Sequence, residues 1–192
     1  MRENNVNVQV YSSCNCGCEF CNFTDRKHNK INPEFVLEYL KEHDNINTIL
    51  LTGGEPTLAI DECVEIIKGL SLTDKTVILQ TNGWWGDSAE IKEKIKMSPP
   101  SCVQLSVDNE KQKIIPIETV INAYNFLVDN NIRVVVINHY KTEEEYLMYT
   151  TQIPVVERGY ICYKTDNNLY DCGTALLATN EVGKLDINGW RN

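Results

Sequence analysis

The architecture of this chain follows from an alternating segment and a cysteine-rich loop, Val6-Asn7-Val8-Gln9-Val10-Tyr11 and Cys14-Asn15-Cys16-Gly17-Cys18-Glu19-Phe20-Cys21. The first segment alternates strictly between valine and other side chains, which predicts a β-strand with two different faces. The loop holds four of the eight cysteines, and three of them are spaced C-x3-C-x2-C. Thiolates this dense on a short loop can converge on one inorganic centre, and soft sulfur ligands select zinc, Cu(I) or an iron–sulfur cluster.

Length, composition and charge exclude several classes of protein. The chain has 192 residues and is 42% hydrophobic, which suits one globular domain with a substantial core. No apolar run of spanning length occurs and residues 1–5 are polar, so we expect a cytoplasmic protein whose clustered cysteines bind metal rather than form disulfides. The net charge is −9 without any basic tract. This argues against nucleic acid or a membrane as the main partner.

Strand-like and helix-like segments alternate along the chain. The periodicity predicts strands at 6–11, 48–52, 76–80, 102–108 and 132–137, and a sixth strand that includes Val155-Val156. It predicts helices at 32–43, 61–70, 88–97 and 117–129, and a short one that begins with the capping box Thr142-x-x-Glu145. Six β/α steps predict an α/β fold in which a parallel sheet curls into a partial (β/α)6 barrel.

The predicted fourth strand indicates where a ligand binds. Its apolar side chains alternate with polar ones at Gln104, Ser106 and Asp108, whereas a parallel strand buried on both faces reads as continuous apolar sequence. We therefore expect a polar inner face that holds a ligand at the carboxyl ends of the strands. The cysteine loop, the glycine pair after the second strand, Asn82, Asp108 and Asn138 all fall at that end.

Two motifs together resemble the signature of the radical SAM superfamily. The first is Cys14-x3-Cys18-x2-Cys21 after strand one, with Phe20 before the third cysteine. The second is Gly53-Gly54-Glu55-Pro56 at the end of strand two, which is similar to the GGEP motif of that family. Each motif alone is weaker, but their order and their placement on the right elements make the combination specific. The resemblance covers roughly residues 6–160.

The resemblance implies cofactors and residues that bind them. Cys14, Cys18 and Cys21 would hold a [4Fe–4S] cluster whose open iron chelates S-adenosylmethionine. The cofactor-binding residues implied are Phe20 beside the adenine, Gly53 and Gly54 for close backbone approach, Glu55 pairing with the methionyl ammonium or bracing the loop, Ser106 at the ribose, Asn138 at the sugar or carboxylate, and Asn82 and Asp108 at the same edge. One electron, from a flavodoxin- or ferredoxin-type donor, would cleave the sulfonium to a 5′-deoxyadenosyl radical that abstracts a hydrogen atom from a substrate.

Other interpretations of the same residues stay open at this point. The three cysteines also suit a zinc knuckle, although structural zinc normally recruits two separated pairs. Cys16 is predicted to be a spectator, because a fourth thiolate would block the open iron. The pair Trp84-Trp85 suits stacking on a substrate, an interface, or a loop that caps the core.

The C-terminal stretch carries two further candidate residues. We expect a core barrel over residues 1–160 and a short extension of the same domain over 161–192. Around Cys172 and Val182-Gly183-Lys184 the extension resembles the start of the SPASM/Twitch regions of peptide-modifying radical SAM enzymes, but it is too short for a full second cluster. Cys162 and Cys172 therefore suit a partial metal site, a thiol that returns a hydrogen atom to a substrate radical, or structural thiols.

The class of substrate is inferred from the length of the chain. From the length of the chain we expect no separate recognition domain, and we therefore expect the substrate, a partner protein or the second subunit of a homodimer to enclose the radical site. This favours a peptide or protein substrate. The alternatives are a small metabolite or nucleotide, activation of a glycyl-radical enzyme, or a different class altogether, a non-catalytic iron–sulfur or zinc-binding regulator.

Overall fold

A computed structural model describes residues 5–19, 21, 28–138, 174–177 and 186–189. Position 138 and the last two segments are described by their backbone alone. The strands are β1 Asn5–Tyr11, β2 Thr48–Gly53, β3 Thr76–Thr81, β4 Cys102–Val107, β5 Val134–Asn138, β6 Thr174–Leu177 and β7 Asp186–Gly189. The helices are α1 Pro33–Glu42, α2 Ile60–Leu70, α3 Ala89–Met97, α4 Asn109–Gln112 and α5 Ile117–Asp129.

The described strands form one sheet in the order β5-β4-β3-β2-β1-β6-β7. Neighbours from β5 to β1 pair in parallel and follow the chain order, which confirms the predicted α/β fold with a parallel sheet. Strand β6 adds in parallel to the other side of β1, and β7 pairs with β6 in the antiparallel direction. This antiparallel edge strand was not predicted, because nothing in its short sequence shows which neighbour it meets.

Local sequence signals account for the helix ends. The Asn32 side chain accepts a hydrogen bond from the Glu34 backbone N–H at 2.9 Å, and Pro33 occupies the first turn. Ser88 caps α3 in the same way through the Ile91 N–H. The predicted helix over 117–129 matches α5 at both ends, and the first four predicted helices and the first five strands agree with the structure within two residues.

The predicted separation of the strand faces is confirmed. Val6, Val8 and Val10 are fully buried in the core beside α1 and α2, and Val103, Leu105 and Val107 of β4 are equally buried. The opposite positions are polar. Gln9 pairs with Thr52 across β1 and β2, and Gln80 pairs with Gln104 across β3 and β4, so these polar positions continue from strand to strand.

Several predictions fall outside the described residues. They are Phe20, the short helix at Thr142–Glu145, the strand at Val155-Val156, and the two cysteines of the extension, Cys162 and Cys172. Within the described ranges, none of the helices combines the length and apolar character that a membrane crossing needs.

Candidate cofactor site at the carboxyl end of the sheet

The loops after β1 and β2 are held against each other by backbone contacts. The Gly54 N–H donates to the Tyr11 carbonyl and the Glu55 N–H donates to the Ser13 carbonyl, both at 2.8 Å. A Cβ on Gly54 would lie 2.0 Å from the Ser13 oxygen, and one on Gly53 would lie 2.4 Å from the Tyr11 oxygen. The glycine pair therefore allows a backbone approach that no other residue permits.

The four loop cysteines do not have equal surroundings. Cys14, Cys18 and Cys21 are half-buried, whereas Cys16 is only 3% exposed and belongs to the hydrophobic core. The Cys16 N–H donates to the Cys14 sulfur at 3.3 Å, and the Cys16 sulfur accepts from Asn82 Nδ2 at 3.5 Å. The Cys21 N–H donates to the Cys18 carbonyl at 3.2 Å, which closes the turn that carries the third predicted ligand.

The neighbouring thiols shift one another's pKa. The hydrogen bond from Cys16 lowers the pKa of Cys14, and it lowers the pKa of Cys18 to about 7 with help from the positive charge of Lys111. The same two hydrogen bonds raise the pKa of Cys16, so that this side chain stays a thiol. Two of the three predicted ligands are thereby biased toward the thiolate, which is the form that binds metals.

The donor set fits an iron–sulfur cluster by its chemistry. Cys14, Cys18 and Cys21 offer three soft sulfur ligands, partly open to solvent, beside backbone groups of a glycine pair. In the part of the chain that the structure describes, no three His, Cys, Asp or Glu side chains converge on a single metal ion. A cubane is held differently, since each thiolate binds a different iron.

The carboxylate of Glu55 accepts its hydrogen bonds from other residues of the protein. Its carboxylate is 1% exposed; Oε1 accepts from the Thr57 N–H at 3.1 Å and from the hydroxyls of Thr57 and Thr81 at 2.6 Å, and Oε2 accepts from the Asn82 N–H at 2.8 Å. Burial raises the pKa of Glu55, and the four hydrogen bonds act in the opposite direction. Of the two expected roles, these contacts support a brace between the ends of β2 and β3.

The tryptophan pair extends this brace. Trp84 Nε1 donates to the Thr57 hydroxyl at 2.8 Å, and Trp85 Nε1 donates to the Thr81 hydroxyl at 3.2 Å. Trp85 is completely buried and packs edge-on against Phe126 at 6.2 Å between ring centroids. The pair is therefore a loop that caps the core, which was one of the three interpretations open from the sequence.

Asn82 joins the brace to the cysteine loop. Its side-chain Nδ2 donates to Asn15 Oδ1 at 2.8 Å and lies 3.5 Å from the Cys16 sulfur, and its Oδ1 accepts from the Trp84 N–H at 3.1 Å. Asn82 was expected at this edge, but Asn15, Thr57 and Thr81 were missed. Thr57 directly follows the Gly-Gly-Glu-Pro motif, whereas no sequence signal pairs Asn15 with a residue 67 positions away.

The remaining predicted site residues lie at the same edge. Ser106 is 6% exposed on the polar side of β4. Asp108 is 1% exposed, caps α4 through the Lys111 N–H at 2.9 Å, and forms an ion pair with the Lys111 ammonium. Asn138 ends β5, where its backbone position pairs with Val107. The structure thus brings Ser106 and Asp108 to the predicted edge, and the Asp108 carboxylate is already occupied by Lys111.

Comparisons with known proteins agree with this geometry. The family model described as Radical SAM superfamily matches residues 8–145, more than half of the chain. The chain is 30% identical over 102 residues to "Putative peptide biosynthesis protein YydG" of Bacillus subtilis (strain 168), covering 50% of this chain and 31% of that protein. It is 29% identical over 129 residues to "Probable GTP 3',8-cyclase" of Saccharolobus islandicus (strain L.S.2.15 / Lassen #1), covering 65% of this chain and 41% of that protein.

A solved structure shares the fold. The crystal structure of Streptococcus suis SuiB superposes with a TM-score of 0.63 at 14% identity and covers 96% of this chain and 42% of SuiB. This chain thus spans 31% and 41% of the length of the two curated relatives, and 42% of SuiB.

Proposed function

The chain belongs to the radical SAM superfamily, and from this premise we propose that it is an enzyme that removes a hydrogen atom from a peptide or protein substrate. Radical SAM proteins bind a [4Fe–4S] cluster and S-adenosylmethionine; when bound, these supply one-electron chemistry that generates a carbon radical. The proposal includes a flavodoxin- or ferredoxin-type donor, because this chemistry consumes an electron that the chain itself does not provide.

One observation carries the proposal, namely the contact between the cysteine loop and the Gly53-Gly54-Glu55 loop. Cys14, Cys18 and Cys21 would hold the cluster, and the glycine pair lets the two loops meet backbone to backbone, so that the cluster ligands lie beside the loop expected to bind the amino-acid end of S-adenosylmethionine. The carboxylate of Glu55 keeps this loop in place through its four hydrogen bonds. The protein's contribution is therefore a pre-formed and rigid edge at which the cofactors bind.

Anaerobic reconstitution tests this assignment. The full chain is loaded with iron and sulfide, then given dithionite and S-adenosylmethionine, and 5′-deoxyadenosine is measured. Wild type should produce it and Cys18→Ala should not. The control is Cys63→Ala, which removes a fully buried thiol of α2 whose contact is the Pro56 carbonyl at 3.4 Å. A wild-type protein that loads only zinc and cleaves no cofactor would contradict the proposal.

The polar face of the sheet supports a neutral substrate. Gln9, Thr52, Gln80 and Gln104 lie side by side on neighbouring strands, and the Thr52 hydroxyl donates to Gln80 Oε1 at 2.9 Å. The Gln9 side chain, 9% exposed, forms no hydrogen bond with any residue that the structure describes. Carboxamides with unused donors and acceptors match the amide groups of a peptide backbone.

The charge of the inner sheet face distinguishes a peptide substrate from a nucleotide. A nucleotide is the alternative that a relative's name favours, since one relative is named as a GTP cyclase. Triphosphates are normally bound by Arg and Lys, but the inward positions of the described strands β1 to β4 carry neither. The relative named as a peptide biosynthesis protein points the other way. A peptide is therefore the better match to these side chains.

Isotope transfer distinguishes the two substrates. The reconstituted enzyme is incubated with a uniformly deuterated peptide pool or with deuterated nucleoside triphosphates, and deuterium in 5′-deoxyadenosine is measured. Transfer should occur from the peptides and should fall at least fivefold in Gln104→Leu. Asn122→Ala, which removes an amide bonded to Asp87 on the helical side, serves as the control. Transfer from the nucleotides alone would refute the peptide proposal.

A further inference from the structure

We propose that Tyr11 and Ser12 are positioning residues of the cluster site, whose side chains fasten the two ends of the cysteine loop to each other and so slow the loss of the cluster. The inference rests on the proposed function, in which three cysteines of this loop hold the [4Fe–4S] cluster. All three of these cysteines lie between Ser12 and His28.

The chain that follows the cysteine loop is anchored independently of it. Ile31 is 4% exposed and packs in the hydrophobic core, and the Lys30 ammonium lies 2.8 Å from the Glu62 carboxylate of α2. The next residue, Asn32, caps α1. Residues 28–31, which we call the return segment, therefore offer a fixed support to which the loop can be fastened.

Backbone hydrogen bonds place the return segment against the end of β1. The Ile31 N–H donates to the Val10 carbonyl at 2.9 Å, and the Ser12 N–H donates to the Asn29 carbonyl at 3.0 Å. Between these two contacts the segments form an antiparallel β-bridge. The two ends of the cysteine loop thus lie side by side, like neighbours in a short antiparallel ladder.

Two side-chain contacts complete this closure, which we call the clasp. The Ser12 hydroxyl, on a residue that is 5% exposed, accepts from the Asn29 N–H at 2.8 Å. The Tyr11 hydroxyl and His28 Nδ1 are hydrogen-bonded at 2.8 Å. His28 has a φ of 59°, in the left-handed region that residues other than glycine rarely adopt, so its conformation needs support from its surroundings. The clasp supplies that support.

The clasp meets the glycine loop at the start of the cysteine loop. The Tyr11 carbonyl accepts from the Gly54 N–H, and the Ser13 carbonyl accepts from the Glu55 N–H, both at 2.8 Å. The start of the cysteine loop is therefore held from two sides, by the glycine loop and by the return segment. Removing a side chain of the clasp leaves the glycine contacts in place, because they use backbone groups, so such variants should still fold.

Closure of the loop matters for a cluster that the protein holds at only three points. When one thiolate leaves its iron, it rebinds at a rate set by how closely the chain keeps it to the cluster, which is an effective concentration. A loop whose ends can separate has more conformations, and this lowers the effective concentration. Weakening the clasp should therefore speed the loss of iron while the ligands themselves stay the same.

Iron release to a chelator tests the inference. Full chains are reconstituted anaerobically with iron and sulfide, iron per chain is measured, and the loss of cluster absorbance after addition of excess EDTA gives the release rate. Ser12→Ala and Tyr11→Phe should bind the wild-type amount of iron. Each should release it about threefold faster than wild type, and the double variant about tenfold faster, as expected for the loss of one and of two hydrogen bonds.

Each variant has a matched control. Ser101→Ala also removes a serine hydroxyl that accepts from a backbone N–H, that of Val77 at 3.0 Å, but at the amino ends of β3 and β4. Tyr39→Phe removes the hydroxyl of another tyrosine beside a histidine, since its ring stacks on His43 at 4.0 Å between centroids. Both controls should release iron at the wild-type rate, and Ser12→Thr, which keeps the hydroxyl, should stay close to that rate.

Two outcomes would overturn the inference. One is a wild-type release rate in the double variant of Tyr11→Phe and Ser12→Ala; the other is an equal acceleration in Ser101→Ala, which would trace the effect to general stability. Should Ser12→Ala fail to fold, the comparison of Tyr11→Phe with Tyr39→Phe decides the question. A wild-type chain that forms no [4Fe–4S] cluster would overturn the proposed function, and this inference with it.

Discussion

Replacing Glu55 by glutamine tests the brace that holds the cofactor edge together. The two carboxylate oxygens serve two backbone N–H groups, since Oε1 faces Thr57 and Oε2 faces Asn82. Glutamine has a single acceptor oxygen. In either orientation its NH2 group points at a backbone donor, so at least one buried N–H loses its acceptor, whereas the threonine hydroxyls can rotate.

An unsatisfied buried donor costs about 1–3 kcal/mol. Glu55→Gln should therefore lower the free energy of unfolding by about 1–3 kcal/mol, and a protein of this size loses about 2–4 °C in Tm for each kcal/mol. Chemical denaturation of the full chain, followed by circular dichroism, measures the change. The denaturant dependence should stay the same, because the volume of the side chain is conserved.

Glu90→Gln is the matched control. The Glu90 side chain is 75% exposed and its partner is Lys94 one helical turn away, so its loss should change the free energy of unfolding by no more than about 0.5 kcal/mol. If Glu55→Gln behaves like Glu90→Gln, the carboxylate is not a brace and its four hydrogen bonds do not hold the cofactor edge together.

Three other substitutions probe the same edge. Gly54→Ala should lower iron uptake at least severalfold, because its Cβ would lie 2.0 Å from the Ser13 oxygen; iron per chain after reconstitution is the measurement, and normal loading would contradict the close approach. Trp85→Ala should cost about 3–5 kcal/mol in urea unfolding, as expected for a large side chain that is fully buried, and a cost below about 1 kcal/mol would show that the loop does not cap the core. Asp108→Ala should cost about 0.5–2 kcal/mol by the same measurement, because it removes the cap at the Lys111 N–H, and an unchanged stability would show that this cap contributes nothing.

Much of the fold could be predicted because its signals are local. The strict alternation of Val6 to Tyr11 and the 3.6-residue pattern of Ile117–Asp129 each lie within one element, so they need no knowledge of the rest of the chain. The cysteine spacing and the Gly-Gly-Glu-Pro turn are equally local, and the family match over residues 8–145 agrees with them. Features that depend only on residues close together in the chain could therefore be predicted from the sequence by itself.

The partners of those residues were decided by the tertiary structure. Glu55 reaches Thr81, 26 positions away, and Asn82 reaches Cys16, 66 positions away, only because parallel pairing brings the ends of β1, β2 and β3 to one edge. The same holds for Cys16, whose sequence surroundings match those of its three neighbours but whose side chain turns into the core. The spacing along the chain determined which thiols could bind a cluster. The tertiary structure determined that Cys16 lies in the core, because a contact between distant residues depends on how the strands align.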